Sequence, residues 1–160
     1  MLLKKKNDTK STKMIVDDIR YSFDKILSQN NPILAITING THCKSTEELR
    51  FHLTNKYFNK LNKDFKKTSE IINYLFVIEY PTVVSQCLFL PKNCDVHTHI
   101  VLGTTIAEKE IKQFTENVFK GADIHIKDIT KRSDKLNYVN YLTKQRDLLT
   151  IDNYNYKVLI

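Results

Sequence analysis

The sequence predicts an α+β protein with a central antiparallel sheet of about five strands and helices packed against it. The first observation behind this prediction is the order of apolar patterns, which run α-β-α-β-β-α-β-α and are followed by a tail. This order suits an antiparallel sheet with helices on one face. The second is the composition: 160 residues, 41% hydrophobic and 27% charged, suffice for one soluble domain with a substantial core.

Each predicted element has its own sequence signal. Helices are predicted where apolar residues recur every three to four positions, and two of them begin at capping boxes, Ser45 with Glu48 and Thr105 with Glu108. Strands are predicted where β-branched residues cluster or alternate between turn signals. In chain order, the predicted helices and strands are a helix over 14–28, a strand over 33–38, a helix from 45 towards 61, strands over 71–80 and 96–102, a helix from 105 to about 120, a strand over 122–129 and a helix from about 133 that carries Tyr141 and Lys144.

Three segments have a less regular pattern. Residues 82–95 are interpreted as an extended hairpin excursion between two core strands, and residues 148–160 as a last strand or a loosely packed tail. The lysine-rich residues 1–13 predict a basic flexible arm, which leaves residues 14–160 as a single domain.

The composition argues against several classes of protein. No apolar stretch approaches the roughly 18 residues of a membrane helix, and the lysines near the start are not followed by the apolar core of a signal peptide. No glycine-rich phosphate loop of an ATPase is present. Three cysteines, an odd number, are typical of reduced thiols. We therefore expect a cytoplasmic protein that has no membrane partner.

Two histidines in one predicted strand are the most informative feature of the chain. Side chains in a strand alternate between faces, so His97 and His99 point the same way, with their Cα atoms about 7 Å apart. That spacing suits a single divalent metal ion. The sequence therefore predicts a metal site on this strand.

A tyrosine and a lysine form the second candidate site. Tyr141 and Lys144 are three residues apart in a predicted helix, which places the phenol and the ammonium on one helix face. A tyrosine beside a metal site has a specific chemical use, the cutting and rejoining of a phosphodiester through a covalent phosphotyrosine.

The charge distribution points to a polyanionic partner. The formal net charge is +7, and six basic residues against two acidic ones lie between Lys127 and Arg146, around the candidate tyrosine. We expect this cluster to bind DNA through four side chains: Lys127, Lys131, Arg132 and Lys135.

Three segments, in this order, resemble the motifs of the HUH endonucleases. That family includes rolling-circle replication initiators of plasmids and small DNA viruses, as well as relaxases and transposases. The strand over 33–39 resembles the first motif, His97-Thr98-His99 the metal-binding second motif, and Tyr141-Leu142-Thr143-Lys144 the single-tyrosine third motif. Thr98 departs from the bulky apolar residue usual in the family, but threonine is β-branched and can still face a core.

The resemblance implies a ferredoxin-like HUH nuclease fold and a single-stranded DNA endonuclease that starts rolling-circle replication. Such a protein would act as a monomer or homodimer and would depend on a separate helicase. A third metal ligand from a neighbouring strand is implied, for which Glu79 is the candidate, with Mn²⁺ or Mg²⁺ as the metal. Tyr141 would form a 5′-phosphotyrosine, while Lys144 steadies the phenolate or holds a DNA phosphate.

Several alternatives stay open from the sequence alone. Tyr138 lies one turn before Tyr141 and is the alternative nucleophile, and Cys94 together with the two histidines is an alternative zinc site. A transposase or relaxase would use the same chemistry. A different metallohydrolase would use an activated water, and a non-catalytic DNA-binding module would keep only the basic surface. His125 is the remaining histidine of interest, because its strand leads into the tyrosine helix.

Overall fold

A computed structural model describes residues 11–29, 31–65, 72–80, 96–145, 149 and 153–158, with the side chains of 132–136 left undescribed. The helices are α1 (Thr12–Leu27), α2 (Thr46–Phe51), α3 (Asn59–Phe65), α4 (Glu108–Val118) and α5 (Arg132–Leu142), and a π-helical segment, His52–Phe58, joins α2 to α3. The strands are β1 (Ile33–Asn39), β2 (Ile72–Glu79), β3 (His97–Thr104), β4 (Asp123–Asp128) and β5 (Tyr154–Lys157).

The five strands form one sheet in the order β4-β1-β3-β2-β5, and every neighbouring pair is antiparallel. The first four strands and the helices between them follow the β-α-β-β-α-β order of ferredoxin-like folds. The predicted α+β class with a five-stranded antiparallel sheet is therefore confirmed. The fifth strand falls within residues 148–160, which the sequence left as either a strand or a tail.

Helices cover both faces of the sheet, so the expectation of helices on one face is wrong. We call the face covered by α1 and α5 the front face, and the face covered by α2, α3 and α4 the back face. Alternate residues of β1 divide between the two cores, with Ala35 in the front core and Ile36 in the back core. All eight residues of β2 are buried. A strand buried on both sides needs cover on both sides, and this is the physical reason for the two helical layers.

Some helix ends differ from the predicted ends. Ser45 caps α2 as predicted, its side chain accepting a hydrogen bond from the backbone N–H of Glu48. Thr105 does not cap α4, because β3 continues to Thr104 and the chain turns before the helix begins; Ala107 occupies the N-cap and offers no side-chain hydrogen bond. At the other end of the chain, α5 stops at Leu142.

Two predicted segments fall largely outside the part of the chain that the structure describes. The hairpin excursion over 82–95 lies there entirely, and so do residues 1–10 of the predicted arm. Within the described ranges, α1 begins at Thr12, two residues before the predicted start. No helix in those ranges is long and apolar enough to cross a membrane.

Candidate metal centre and tyrosine

Strand pairing brings Glu79 to the two histidines. In the register of β2 with β3, Glu79 is directly opposite His97. Val77 and Val101 belong to the front core, and Glu79, His97 and His99 lie two or four residues from them along the strands, so they lie on the front face as well. Thr98 points to the opposite side, is fully buried and donates a hydrogen bond to the backbone carbonyl of Val77 at 3.1 Å. Threonine therefore fits the core at this position of the motif.

The three side chains converge on a single point. Glu79 Oε2 lies 3.0 Å from His97 Nε2 and 3.0 Å from His99 Nε2. One ligand atom from each of the three residues fits within a mutual distance of 4.8 Å, which makes them a candidate metal-binding triad. The second carboxylate oxygen, Oε1, is buried, and no described residue forms a hydrogen bond with it. Two imidazoles and a carboxylate with an unsatisfied oxygen are a donor set that fits a divalent first-row metal ion.

The protonation states of Glu79 and His99 suit metal binding. Burial is the largest influence on Glu79 and opposes its ionisation, but the hydrogen bonds from His97 and His99 and the charge of Lys144 outweigh it and lower its pKa to about 2. Burial also lowers the pKa of His99, and the neighbouring Glu79 only partly offsets this. At neutral pH the site therefore holds a carboxylate and, at His99, a neutral imidazole, the forms in which both side chains bind metals.

Thr37 of β1 sets the orientation of the His99 ring. Its hydroxyl lies 2.9 Å from His99 Nδ1, and the two residues are paired directly in the register of β1 with β3. Without metal, His99 Nε2–H donates to Glu79 while Nδ1 accepts from the Thr37 hydroxyl. If Nε2 held a metal ion, Nδ1 would carry the proton and the same hydroxyl would accept it, because a hydroxyl can donate and accept.

We expect Thr37→Val to weaken Mn²⁺ binding by about 10- to 100-fold, the usual cost of removing a partner of a histidine ligand. Valine keeps the β-branched shape of the strand residue and removes only the hydroxyl. Thr37→Ser is the matched control, since it keeps the hydroxyl. Titration calorimetry with Mn²⁺ measures both variants, and equal affinities for the valine and serine variants would contradict this role for Thr37.

Tyr141 lies against the triad and remains open to solvent. Its ring meets the ring of His99 edge to face, with centroids 4.9 Å apart, and 43% of the residue is exposed. Lys144 Nζ sits 3.7 Å from the centroid of the Tyr141 ring and 3.1 Å from Glu79 Oε2. Lys144 follows the end of α5 rather than continuing it, so its predicted place within the helix is wrong, although the expected proximity to Tyr141 holds.

Tyr138 has a different environment from Tyr141. Its ring is 5.7 Å from that of Tyr141, but its hydroxyl is buried and makes no hydrogen bond with a described residue. Burial raises the pKa of Tyr138, and the neighbouring Tyr141 and Glu79 raise it further, while proximity to Thr37 offsets only a small part. A buried phenol that resists ionisation is a poor nucleophile, so the environment favours Tyr141 over Tyr138.

The other predicted site residues do not belong to the triad. Lys127 and Lys131 are exposed, on β4 and at the start of α5, and the helix positions of Arg132 and Lys135 follow directly. His125 pairs with Asp123 at 3.0 Å on the exposed part of β4 and does not join the triad. Cys94 lies outside the described residues, so the structure does not bear on a zinc site that includes it.

The sequence alone does not single out two residues of the site. Thr37 was part of a recognised strand, but only the pairing of β1 with β3 shows that it faces His99. Gln145 has no sequence signal at all, yet its side chain bonds to the backbone next to Glu79.

Comparisons with known proteins bear on the fold alone. No protein-family profile matches the sequence, and no curated protein matches it significantly. A solved structure, the crystal structure of the hypothetical protein ORF119 from Sulfolobus islandicus rod-shaped virus 1, is similar to this chain with a TM-score of 0.52 at 16% sequence identity. The similarity covers 82% of this chain and 97% of the viral chain. At this identity, the likeness supports the α+β architecture described above.

Proposed function

We propose that this protein is a metal-dependent endonuclease of the HUH type that nicks and rejoins single-stranded DNA through a tyrosine. The observation that carries the proposal is the convergence of an exposed phenol, an ammonium and a triad of metal-ligating side chains. Tyr141 contacts His99, and Lys144 contacts both Tyr141 and Glu79. A phosphate placed over this group would meet a nucleophile, a cation and a metal site within one small area.

The proposed chemistry exchanges one phosphodiester for another. The Tyr141 oxygen attacks the phosphorus, the bond from phosphorus to the 3′ oxygen breaks, and the products are a 5′-phosphotyrosine and a free 3′-hydroxyl. The proton lost by the phenol balances the proton gained by the leaving oxygen. When bound, a divalent ion such as Mn²⁺ or Mg²⁺ supplies charge neutralisation and orientation at the phosphate, and Glu79, His97 and His99 would hold it. Because the bond energies nearly match, a 3′-hydroxyl can reverse the step without ATP.

Lys144 has two partners in this scheme. Its ammonium forms an ion pair with Glu79 Oε2, the oxygen that both imidazoles also contact. The ammonium therefore lies where positive charge is favoured in the metal-free site. A metal ion bound to that oxygen would repel the ammonium, which would then be free to meet the phenolate or the DNA phosphate.

We expect Lys144→Met to bind Mn²⁺ severalfold more tightly than the wild-type protein, while the rate of strand cleavage falls. The first effect follows because the competing ammonium is gone from Glu79, and the second because the phosphate loses a cation. Lys112→Met, at an exposed position of α4, is the matched control for the loss of one positive charge. Weaker Mn²⁺ binding in the Lys144 variant would contradict the competition.

The basic surface supports single-stranded DNA as the partner. Exposed Lys127 lies on β4 and Lys131 at the start of the tyrosine helix, and the chain carries a net charge of +7. In this proposal, the protein acts in the cytoplasm as a monomer or homodimer at the replication origin of a plasmid or virus, and a separate helicase unwinds the template. A transposase or relaxase would use the same site.

A nicking and joining assay tests the proposed function. The protein is incubated with an end-labelled pool of single-stranded oligonucleotides, with Mn²⁺ or with EDTA, and the products are separated on a denaturing gel. We expect cleaved and recombined strands with Mn²⁺ and none with EDTA. Salt-sensitive binding without any cleavage, including on DNA of the protein's own replicon, would instead support a non-catalytic DNA-binding module. Cleavage without a covalent adduct would support a metallohydrolase that uses water.

A further inference from the structure

The side chain of Gln145 connects the tyrosine helix to the strand that carries Glu79. The backbone N–H of Tyr80 donates to Gln145 Oε1 at 3.1 Å, and Gln145 Nε2 donates to the backbone carbonyl of Tyr80 at 3.0 Å. A carboxamide offers one acceptor and one donor side by side, as a peptide group does. Gln145 therefore pairs with Tyr80 in the way that a residue of an adjacent strand would.

This pairing lies directly beside the contact between Lys144 and Glu79. Tyr80 directly follows Glu79, and Gln145 directly follows Lys144. Two consecutive residues after α5 thus contact two consecutive residues at the end of β2: Lys144 meets Glu79 at 3.1 Å, and Gln145 meets Tyr80 through two hydrogen bonds.

The connection from Gln145 back to Tyr141 is short and itself hydrogen-bonded. The backbone N–H of Lys144 donates to the carbonyl of Tyr141 at 3.3 Å, and the hydroxyl of Thr143 donates to the carbonyl of Val139 at 3.1 Å. A shift in the position of Gln145 would therefore also move Tyr141. The effect on the rate of strand cleavage would be large, since an error of about 1 Å in the position of a reacting atom can cost roughly 10²-fold in rate.

We propose that Gln145 is a positioning residue that holds Tyr141 and Lys144 in register with the metal triad. This inference rests on the proposed function for its catalytic consequence, and on the geometry of the described residues for the positioning itself. Gln145 does not belong to the triad, so its loss should not weaken metal binding.

The variant Gln145→Met tests the proposal, because methionine has nearly the same length and volume and forms neither hydrogen bond. We expect its single-turnover rate of covalent adduct formation with the oligonucleotide pool to fall by about 10- to 100-fold. Its melting temperature should stay close to that of the wild-type protein, and its Mn²⁺ affinity should equal or exceed the wild-type value, because a displaced Lys144 competes less for Glu79. Gln113→Met, an exposed glutamine of α4, is the matched control. A wild-type adduct rate would overturn the proposal, and so would parallel losses of rate, metal affinity and melting temperature, which would indicate a general structural role.

A second readout does not depend on DNA cleavage. In protein labelled with 3-fluorotyrosine, Mn²⁺ bound at the triad broadens the ¹⁹F signal of Tyr141, which is assigned by its absence in Tyr141→Phe. We expect this broadening to be at least halved in Gln145→Met. If the wild-type protein forms no adduct but the broadening falls in the variant, the proposed function fails and the positioning stands. Unchanged broadening overturns the positioning, and no broadening in the wild-type protein overturns both.

Discussion

Tyr141→Phe is expected to abolish the covalent adduct and to lower strand cleavage by at least about 10³-fold, as the loss of a covalent nucleophile does. The substitution removes one oxygen and no charge, so the affinity for single-stranded DNA should stay nearly intact. Phenylalanine has the same ring, so it keeps the packing against His99, and Tyr141 is exposed to solvent. Cleavage is measured on a denaturing gel with excess protein, and DNA affinity by fluorescence anisotropy.

Two further tyrosines serve as controls for this variant. Tyr138→Phe removes a buried hydroxyl one helical turn away, and Tyr21→Phe removes an exposed hydroxyl on α1. Both should cleave at rates near that of the wild-type protein. Cleavage by Tyr141→Phe at the wild-type rate would refute Tyr141 as the nucleophile, and loss of cleavage in Tyr138→Phe alone would assign that role to Tyr138.

Substitutions in the candidate metal-binding triad are expected to have the second large effect. Each of Glu79→Gln, His97→Ala and His99→Ala is expected to weaken Mn²⁺ binding by more than the ~100-fold upper range seen for indirect partners of a metal ligand, and to abolish Mn²⁺-dependent cleavage. The reason is that each change removes one of the three converging side chains of the candidate triad. Titration calorimetry gives the affinity, and cleavage is followed across a range of Mn²⁺ concentrations.

His125→Ala is the matched control for the metal ligands. His125 also lies in the sheet, where it pairs with Thr37 in the register of β1 with β4, but its side chain is 68% exposed and contacts Asp123. We expect unchanged Mn²⁺ affinity in this variant. A wild-type dependence of cleavage on Mn²⁺ in His97→Ala or His99→Ala would show that the metal site lies elsewhere.

The sequence was sufficient for the order of the elements and for the histidine pair, because both depend on local periodicity. Alternation along one strand placed His97 and His99 on one face, and the apolar patterns located the helices to within a few residues. It was insufficient where the answer depends on what packs against an element. The apolar residues of β2 leave no polar face, yet only the completed sheet shows that helices cover both of its sides.

Contacts between distant segments account for the rest of what the sequence missed. Glu79 could be named as a ligand only through a family resemblance, since the register of β2 with β3 is what places it opposite His97. Thr37 and Gln145 act through hydrogen bonds across 62 and 65 residues of sequence. No local pattern encodes such a contact. Lys144 is the converse case: it follows α5 instead of lying within it, yet its predicted proximity to Tyr141 is correct.

Mapping the covalent adduct by peptide mass tests the central claim most directly. The protein is incubated with the oligonucleotide pool and Mn²⁺, the DNA is digested with a nuclease, and the proteolytic peptides are weighed. The proposed function predicts a nucleotide attached through a 5′-phosphate to the peptide that contains Tyr141. A nucleotide on any other residue, or cleaved DNA with no modified peptide, would contradict it.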